Sequence, residues 1–389
     1  MYKENNIEDV SIVQEEDLQY ELSLGAGYIK ATENITGKGT FITPSNIGEG
    51  LKSVDLFCGI GGFNIGLNKL GVQNVFSSDI DKYAQDTYKL NFGEKPYGDI
   101  TQIDAQNIPS FDILTAGFPC QPFSYAGLNK GFEDKTRGTL FFDICRIIDF
   151  HKPEMFLLEN VKGLKSHNNG ETLKTILDAL TNLGYNVKWK VINSLDFGIP
   201  QARERWYCVG FKNQDIDFNF PDKKVNYIPN LRQIINDGDN QDNKLKLTKF
   251  EVDRINFHFA NAKNGDRIQH DASKYEANTK KGKHGIFSFQ KPDKSLRFHV
   301  GDFAKTQIQE AFYACKDTYS PTIIAGRVPK LWDVERKLSV LEAKRLQGFP
   351  DDFKFNVSDN QAYKQLGNAV CVPVVHAILE KMVQTFKNK

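Results

Sequence analysis

Ser53-Val54-Asp55-Leu56-Phe57-Cys58-Gly59-Ile60-Gly61-Gly62-Phe63 passes from a short apolar run through a glycine loop into residues of helical spacing. The spacing predicts a strand, a tight turn and a helix over 63–70 ending at Gly71, a residue suited to the left-handed turn that closes a helix. Val75-Phe76-Ser77-Ser78-Asp79 reads as a second strand closing on an acid, and 81–90 as a helix with an acidic start. Outward from there the alternation continues, with strands at 111–116 and 155–159 and helices at 140–150 and 172–183. Strand and helix in turn argue for an α/β fold with a doubly wound, mainly parallel sheet. Near Phe211 the rhythm stops. Residues 212–330 are rich in Asn, Asp, Lys and Gly with short aromatic runs, which predicts a second, smaller domain of mixed or β-rich character. Helical spacing returns at 339–346 and 372–386, so those helices are expected to pack back on the first domain. The expected division is an N-terminal extension over 1–52, a main domain over 53–211, the smaller domain over 212–330 and C-terminal helices over 331–389.

With 389 residues, 40% hydrophobic and 25% charged, the chain can bury a large core and has the balance of a soluble globular protein. No run approaches the roughly 18 consecutive apolar residues of a membrane span, and residues 1–6 lack the apolar segment of a secretory leader. The six cysteines are scattered with no C-x-x-C pair, so neither a disulfide framework nor a metal site is expected, and a reduced, cytoplasmic setting is. The net charge of +1 does not announce a nucleic-acid partner. Its distribution is more telling. Residues 1–50 carry nine acids against three bases, while residues 240–300 carry thirteen bases against seven acids. The basic stretch interleaves Phe257, Phe259, Tyr275, Phe287, Phe289 and Phe298, which suits either a solvated face or phosphate contact with stacking side chains.

Chemistry concentrates where strands end. Gly117-Phe118-Pro119-Cys120-Gln121-Pro122-Phe123-Ser124 follows the apolar run at 111–116 and brackets one cysteine with two prolines. Two fixed φ angles make a stiff mount, suited to a nucleophile that must be aimed. Alone, Cys120 reads first as a buried structural thiol, and it is the rest of the chain that favours the nucleophile. The glycines at 59–62 let a backbone approach a ligand, and Asp79, about twenty residues on, is placed to bind ribose hydroxyls. No G-x-x-x-x-G-K-[ST] string is present, so an adenosine ligand without a phosphate chain fits better than a triphosphate. Asp99 is either an acceptor for an adenine amino group or a turn-forming acid. Glu159-Asn160-Val161 also ends an apolar run, and a buried Glu there must be paired or functional. Asn160 is expected to hold its carboxyl group. Arg203 and Arg205, two apart, are expected on one side of a strand, as a salt-bridged surface or as a clamp beside the site.

These strings, with Arg345-Leu346-Gln347-Gly348-Phe349-Pro350 and Gln365-Leu366-Gly367-Asn368 after them, stand in the order of a known family. The chain resembles the bacterial DNA cytosine-C5 methyltransferases of restriction-modification systems. The resemblance implies the S-adenosylmethionine-dependent methyltransferase fold and a target recognition domain over 212–330. It implies methyl transfer from S-adenosylmethionine to C5 of a cytosine flipped out of double-stranded DNA. It places Cys120 as the nucleophile on C6, Glu159 at N3, and Arg205 with Arg203 beside the substrate. It places cofactor contacts on Phe57, Gly59, Gly61, Asp79, Ile80, Asp99, Ile100, Pro119, Leu140, Asn368 and Val370. Ser124, Thr322 and Ile323 become DNA-contact residues, and Arg327 and Lys330 just after them read either as groove or phosphate contacts or as plain surface charge. Ile80 stands where some relatives have Trp, and Ala369 where Ser is common. A cognate restriction endonuclease is an expected functional rather than physical partner, and a monomer is expected. Two rivals stand beside this reading: a cytosine-C5 methyltransferase acting on tRNA, and a non-catalytic DNA-binding regulator. The length of the basic segment argues against the first, and the intact Cys120, Glu159 and Arg205 against the second.

Overall fold

The computed structural model describes residues 44–119, 140–263, 265–270, 286–300 and 308–389. Cys120 and Ser124 lie outside these, as does most of the N-terminal extension.

The main sheet is built from β1 (Lys52–Leu56), β2 (Gln73–Ser78), β3 (Ile113–Gly117), β4 (Met155–Val161), β5 (Asn186–Asn193) and β7 (Glu204–Phe211), in the spatial order β2-β1-β3-β4-β7-β5. Its first four strands are parallel. β7 runs antiparallel to both β4 and β5, between them. Hydrophobic runs do not carry direction, so the reversed strand was not visible in its apolar stretch Trp206 to Phe211. Side chains alternate cleanly between two cores. Ile113, Met155 and Leu157 join one, and Leu114, Phe156 and Leu158 the other. Period-two alternation with both faces apolar is the pattern of a sheet covered on both sides.

Helices supply the covers. α1 (Gly62–Asn68) packs Phe63 and Leu67 with Val375, Ile378 and Leu379 of α8 (Val372–Lys387) on one face. α3 (Leu140–His151) and α4 (Glu171–Asn182) cover the other through Ile144, Ile148, Ile176 and Leu180. α2 (Lys82–Phe92) starts at an Asp81 cap, whose carboxylate accepts from Tyr83 N and Ala84 N. The return expected at 339–346 and 372–386 is met by α6 (Val340–Arg345) and α8, and one helix between them, α7 (Asp359–Asn368), was not read from spacing. Residues Asp359–Lys387 include an 18-residue window apolar enough to cross a membrane, but 83% of it is buried in the protein core.

The second sheet has the order β14-β13-β11-β10-β9-β8, from β8 (Ile268–His270), β9 (Ile286–Gln290), β10 (Leu296–Val300), β11 (Ile308–Ala314), β13 (Lys330–Leu331) and β14 (Arg336–Lys337). It is antiparallel apart from the β11–β13 pair. α5 (Lys249–Asn261) packs on it through Ile255, which meets Ile286, Leu296 and Phe298 in a small separate core. Two connections bind this region to the main one. β12 (Ser320–Pro321) pairs with β6 (Gln201–Ala202), and Ile216, Phe218, Leu231 and Ile234 are buried in the larger core although they follow Phe211 in sequence.

A buried ion pair fixes the passage from β14 to α6. Arg336 and Glu342, 1% and 0% exposed, meet through two contacts of 2.6 and 2.7 Å. Glu342 also accepts from Ser339 N and Asn236 N, so its carboxylate is fully used. Removing one partner of such a pair strands the other charge out of water, at a cost of about 3–5 kcal/mol. Glu342→Ala is therefore expected to lower unfolding free energy by about that amount in urea titration. A loss below about 1 kcal/mol would show that the pair is dispensable.

Candidate active site

The carboxyl ends of β1 to β4 open on one cavity of about 430 Å³, where an open α/β sheet places its ligands. Each wall has a local cause. Past β1 the chain turns through Phe57 and Gly59, both at positive φ, and Gly61 at φ 90° starts α1. Gly59 N donates to Asp79 Oδ2 at 2.8 Å, and Asp81 N to Asp79 Oδ1 at 2.8 Å. Asp79 thus stitches the glycine loop to the start of α2. Burial raises its pKa, against the pull of those two amides. A side chain at Gly61 would come within 2.2 Å of the Phe92 ring, so this glycine serves packing and is not on the cavity wall.

Before Asp99 stands an isolated bridge between Ser78 and Tyr97, and Asp99 itself caps a short 3-10 turn (Ile100–Gln102). Its Oδ1 accepts from Thr101 N and Thr101 Oγ1, so the turn-forming reading holds, and Asp99 also lines the cavity. Phe57, Gly59, Ile80, Ile100, Pro119, Leu140 and Asn368 line it too. Val370 does not: it is buried behind the wall, its methyl groups against Gly62 and Gly117.

Glu159 lies opposite Gly117 across the β3–β4 ladder and opposite Tyr207 across β4–β7. Arg205 is therefore its diagonal neighbour on the same face. Arg205 Nε lies 3.1 Å from Glu159 Oε1, with both side chains largely buried. The approach is not aligned as a hydrogen bond, and Glu159 Oε1 is a buried oxygen with no hydrogen-bond partner. Burial raises the Glu159 pKa above the usual carboxyl value, and Arg205 and Arg203 only partly oppose this. A carboxyl group able to keep its proton at the cavity wall is equipped to engage a ring nitrogen.

Asn160 does not hold that carboxyl group. Its Nδ2 donates to Phe118 O at 3.0 Å, and its own Oδ1 accepts from Val161 N. It fixes the exit of β3, the stretch that leads to Pro119 and Cys120.

The two arginines diverge rather than sharing one strand face. Arg203 falls between β6 and β7, and only Arg205 is in a strand. Arg203 is 3% exposed and donates to the carbonyls of Ile323, Gly367 and Ala369, at 2.6 Å for the last. Burial and the Arg205 charge lower its pKa to about 10. Thr322 and Ile323 are likewise committed inward. Thr322 Oγ1 donates to Ala202 O, Ile323 N donates to Gln201 Oε1, and the Ile323 side chain is fully buried. A DNA contact through that side chain is not available in this conformation. Arg327 is exposed, on a turn closed by its own N–H to Ile324 O. Lys330 is paired with Glu251 at 2.5 Å.

Reading residue by residue missed several wall residues: Ile60, Asp81, Ala84, Lys364, Gln365 and Gly367. The string ending at Asn368 held a signal for two of them, Gln365 and Gly367. Gly367 permits an approach to Ile324 so close that a Cβ would come within 2.5 Å of its carbonyl carbon.

Residues 51–384 match the model of a family described as C-5 cytosine-specific DNA methylase, and the chain belongs to that family. The Type II methyltransferase M.NlaX of Neisseria lactamica is 45% identical over 338 residues, covering 85% of this chain and 96% of its own. The Type II methyltransferase M.HpaII of Haemophilus parainfluenzae is 41% identical over 352 residues, covering 88% and 92%. Among solved structures, S. pombe Dnmt2 methyltransferase superposes with a TM-score of 0.61 at 19% identity, covering 87% of this chain and all of that one. That likeness shows the shared fold.

The raised Glu159 pKa carries a stability signature. Between the ordinary carboxyl range and the raised value, the folded protein holds a proton that the unfolded chain has lost, so stability falls as pH rises. Glu159→Gln removes this limb. The stability of the variant relative to wild type is expected to be flat below about pH 4.5, where both states are protonated, and to grow in its favour as pH rises. Urea titrations at a series of pH values check this; a pH-independent difference would place an ordinary carboxylate at 159.

Proposed function

We propose that this member of the C-5 cytosine-specific DNA methylase family methylates one cytosine within a specific duplex DNA sequence, with S-adenosylmethionine as donor. The observation that carries the reading is Glu159: a buried carboxyl group with a raised pKa at the cavity wall, with Arg205 in ion-pair contact beside it. From Gly117, opposite Glu159, the chain has three residues to travel to Cys120.

The donor set fits the cofactor. Asp79 has carboxylate oxygens for ribose hydroxyls, Asp99 supplies an acceptor for an exocyclic amine, and Phe57, Ile80 and Ile100 offer apolar surface for a purine. Bound there, S-adenosylmethionine would supply a methyl group on a sulfonium. The rest is the work of the chain. The Cys120 thiolate forms a bond to C6 of the target cytosine while the Glu159 proton engages N3, which leaves C5 enamine-like. After methylation the C5 proton departs to a base, the electron pair restores the C5–C6 double bond, and Cys120 leaves as thiolate. Arg205 stabilises the charge that gathers around Glu159 and the ring. The base must be flipped, since C6 and N3 are inaccessible inside a duplex, at a cost of a few kcal/mol.

Residues 212–330 are proposed as the target recognition region, with Arg327 and Ser124 as DNA contacts and Thr322 and Ile323 as the buried support of that loop. The Type II names of the relatives support site specificity and a functional pairing with a restriction endonuclease. The proposed setting is the cytoplasm and the proposed active form a monomer.

Wild-type protein with labelled S-adenosylmethionine should label duplex DNA and leave tRNA unlabelled, with bisulfite sequencing locating one cytosine in a fixed context. Cys120→Ala should abolish transfer, and Glu159→Gln should slow it by about 10²–10⁴-fold. No label on DNA from wild type, or full transfer by Cys120→Ala, would overturn the proposal.

A further inference from the structure

The cavity is closed by two segments far apart in sequence. One is the start of α2, from Asp79 to Ala84; the other is the end of α7 and its exit, residues 364–369. Buried links hold the second segment down. Arg203 grips Gly367 O and Ala369 O, Gln347 Nε2 donates to Leu366 O, and Thr87 Oγ1 donates to Gln365 Oε1. The fourth link differs. Lys364 Nζ reaches Asp81 Oδ2 at 3.2 Å across the gap, and the two side chains are 45% and 32% exposed. Among the described residues it joins the two walls on the solvent side, and both partners line the cavity.

The chemistry of this pair is that of a fastener that opens. Asp81 is held in place because its Oδ1 caps α2, accepting from Tyr83 N at 2.9 Å and Ala84 N at 3.3 Å. Oδ2 is left for the lysine. A half-exposed Lys–Asp pair is weak and salt-screened. It therefore breaks readily, whereas the buried links behind it do not. A ligand as large as a nucleoside amino acid has to pass between these walls on every turnover, because the spent donor must leave before another enters.

We propose that Lys364 is a positioning residue of the cofactor site, and that its ion pair with Asp81 is a latch over the cavity mouth that sets how long the nucleoside ligand stays bound. The proposal rests on reading the cavity as the S-adenosylmethionine site. The latch joins the start of α2 to α7 at the cavity mouth, so it acts on ligand exchange.

S-adenosylhomocysteine is the probe, with association and dissociation rates followed by stopped flow at several sodium chloride concentrations. The probe is a net-neutral zwitterion, so salt dependence of its release reports on the protein. Wild type should release it faster as salt rises. Lys364→Met should release it about two- to fivefold faster at low salt and lose the salt dependence, while Lys364→Arg should restore both. Asp81→Asn, which keeps the helix cap, should match Lys364→Met, and the double variant should add nothing further. Thermal midpoints without ligand identify any variant that has lost its fold. Tight, salt-sensitive release from Lys364→Met, equal to wild type, would overturn the latch and leave the cofactor site standing. Failure of wild type to bind S-adenosylhomocysteine would remove the reading of the cavity and the latch with it.

Discussion

A single buried guanidinium joins three parts of the molecule at the cavity. Arg203 leaves the main sheet between β6 and β7 and donates to Ile323 O, from the segment after β12, and to Gly367 O and Ala369 O, from the exit of α7. Each of those carbonyls ends or interrupts regular structure, so none has a helix or strand partner to spend itself on. A cation with five donors in a flat fork can satisfy several at once, which a lysine cannot. Desolvation of the charge is costly, and the pKa lowered to about 10 records that cost. The surrounding carbonyls offset it. With Arg203 committed, the cavity wall at 367–369 and the loop at 322–327 take their positions from the main sheet.

That commitment also sorts the charges of the site. Arg205 is left beside Glu159, in ion-pair contact with a buried Oε1 that makes no hydrogen bond. Desolvation outweighs the attraction of two nearby cations, which is why the carboxyl pKa moves up. A surface Glu next to two arginines would move the other way. The raised carboxyl pKa therefore depends on where β4 ends relative to β3 and β7, and on the depth of that end below the surface.

Much of this was legible beforehand, and the misses have physical causes. Most strands and helices of the main domain were readable because the central strands are short continuous apolar runs and one face of each helix is apolar at a fixed period. α7 was missed because its exposed face is polar and its apolar positions are few. A strand was read only around Arg203 and Arg205; the extent of β7 and its direction depend on its partners β4 and β5. Asn160 was assigned to Glu159 because the two are adjacent in sequence, yet neighbours along a strand point to opposite faces, and Asn160 turned to Phe118 O. The absence of a side chain at Gly61 makes room for Phe92, a packing demand that the motif did not announce.

The sequence alone determined the order of the elements, the glycines and prolines at strand ends, and the residue types a cytosine methylase needs, because these follow from local sterics and from chemistry that admits few substitutes. Tertiary structure decided what those residues became. It brought Asp81 to Lys364 across 283 positions, set Arg205 diagonally to Glu159, and took Arg203 and Ile323 out of reach of solvent. The reason is that burial and pairing belong to packed surfaces, and a charge's protonation and a side chain's partner are fixed only when those surfaces meet.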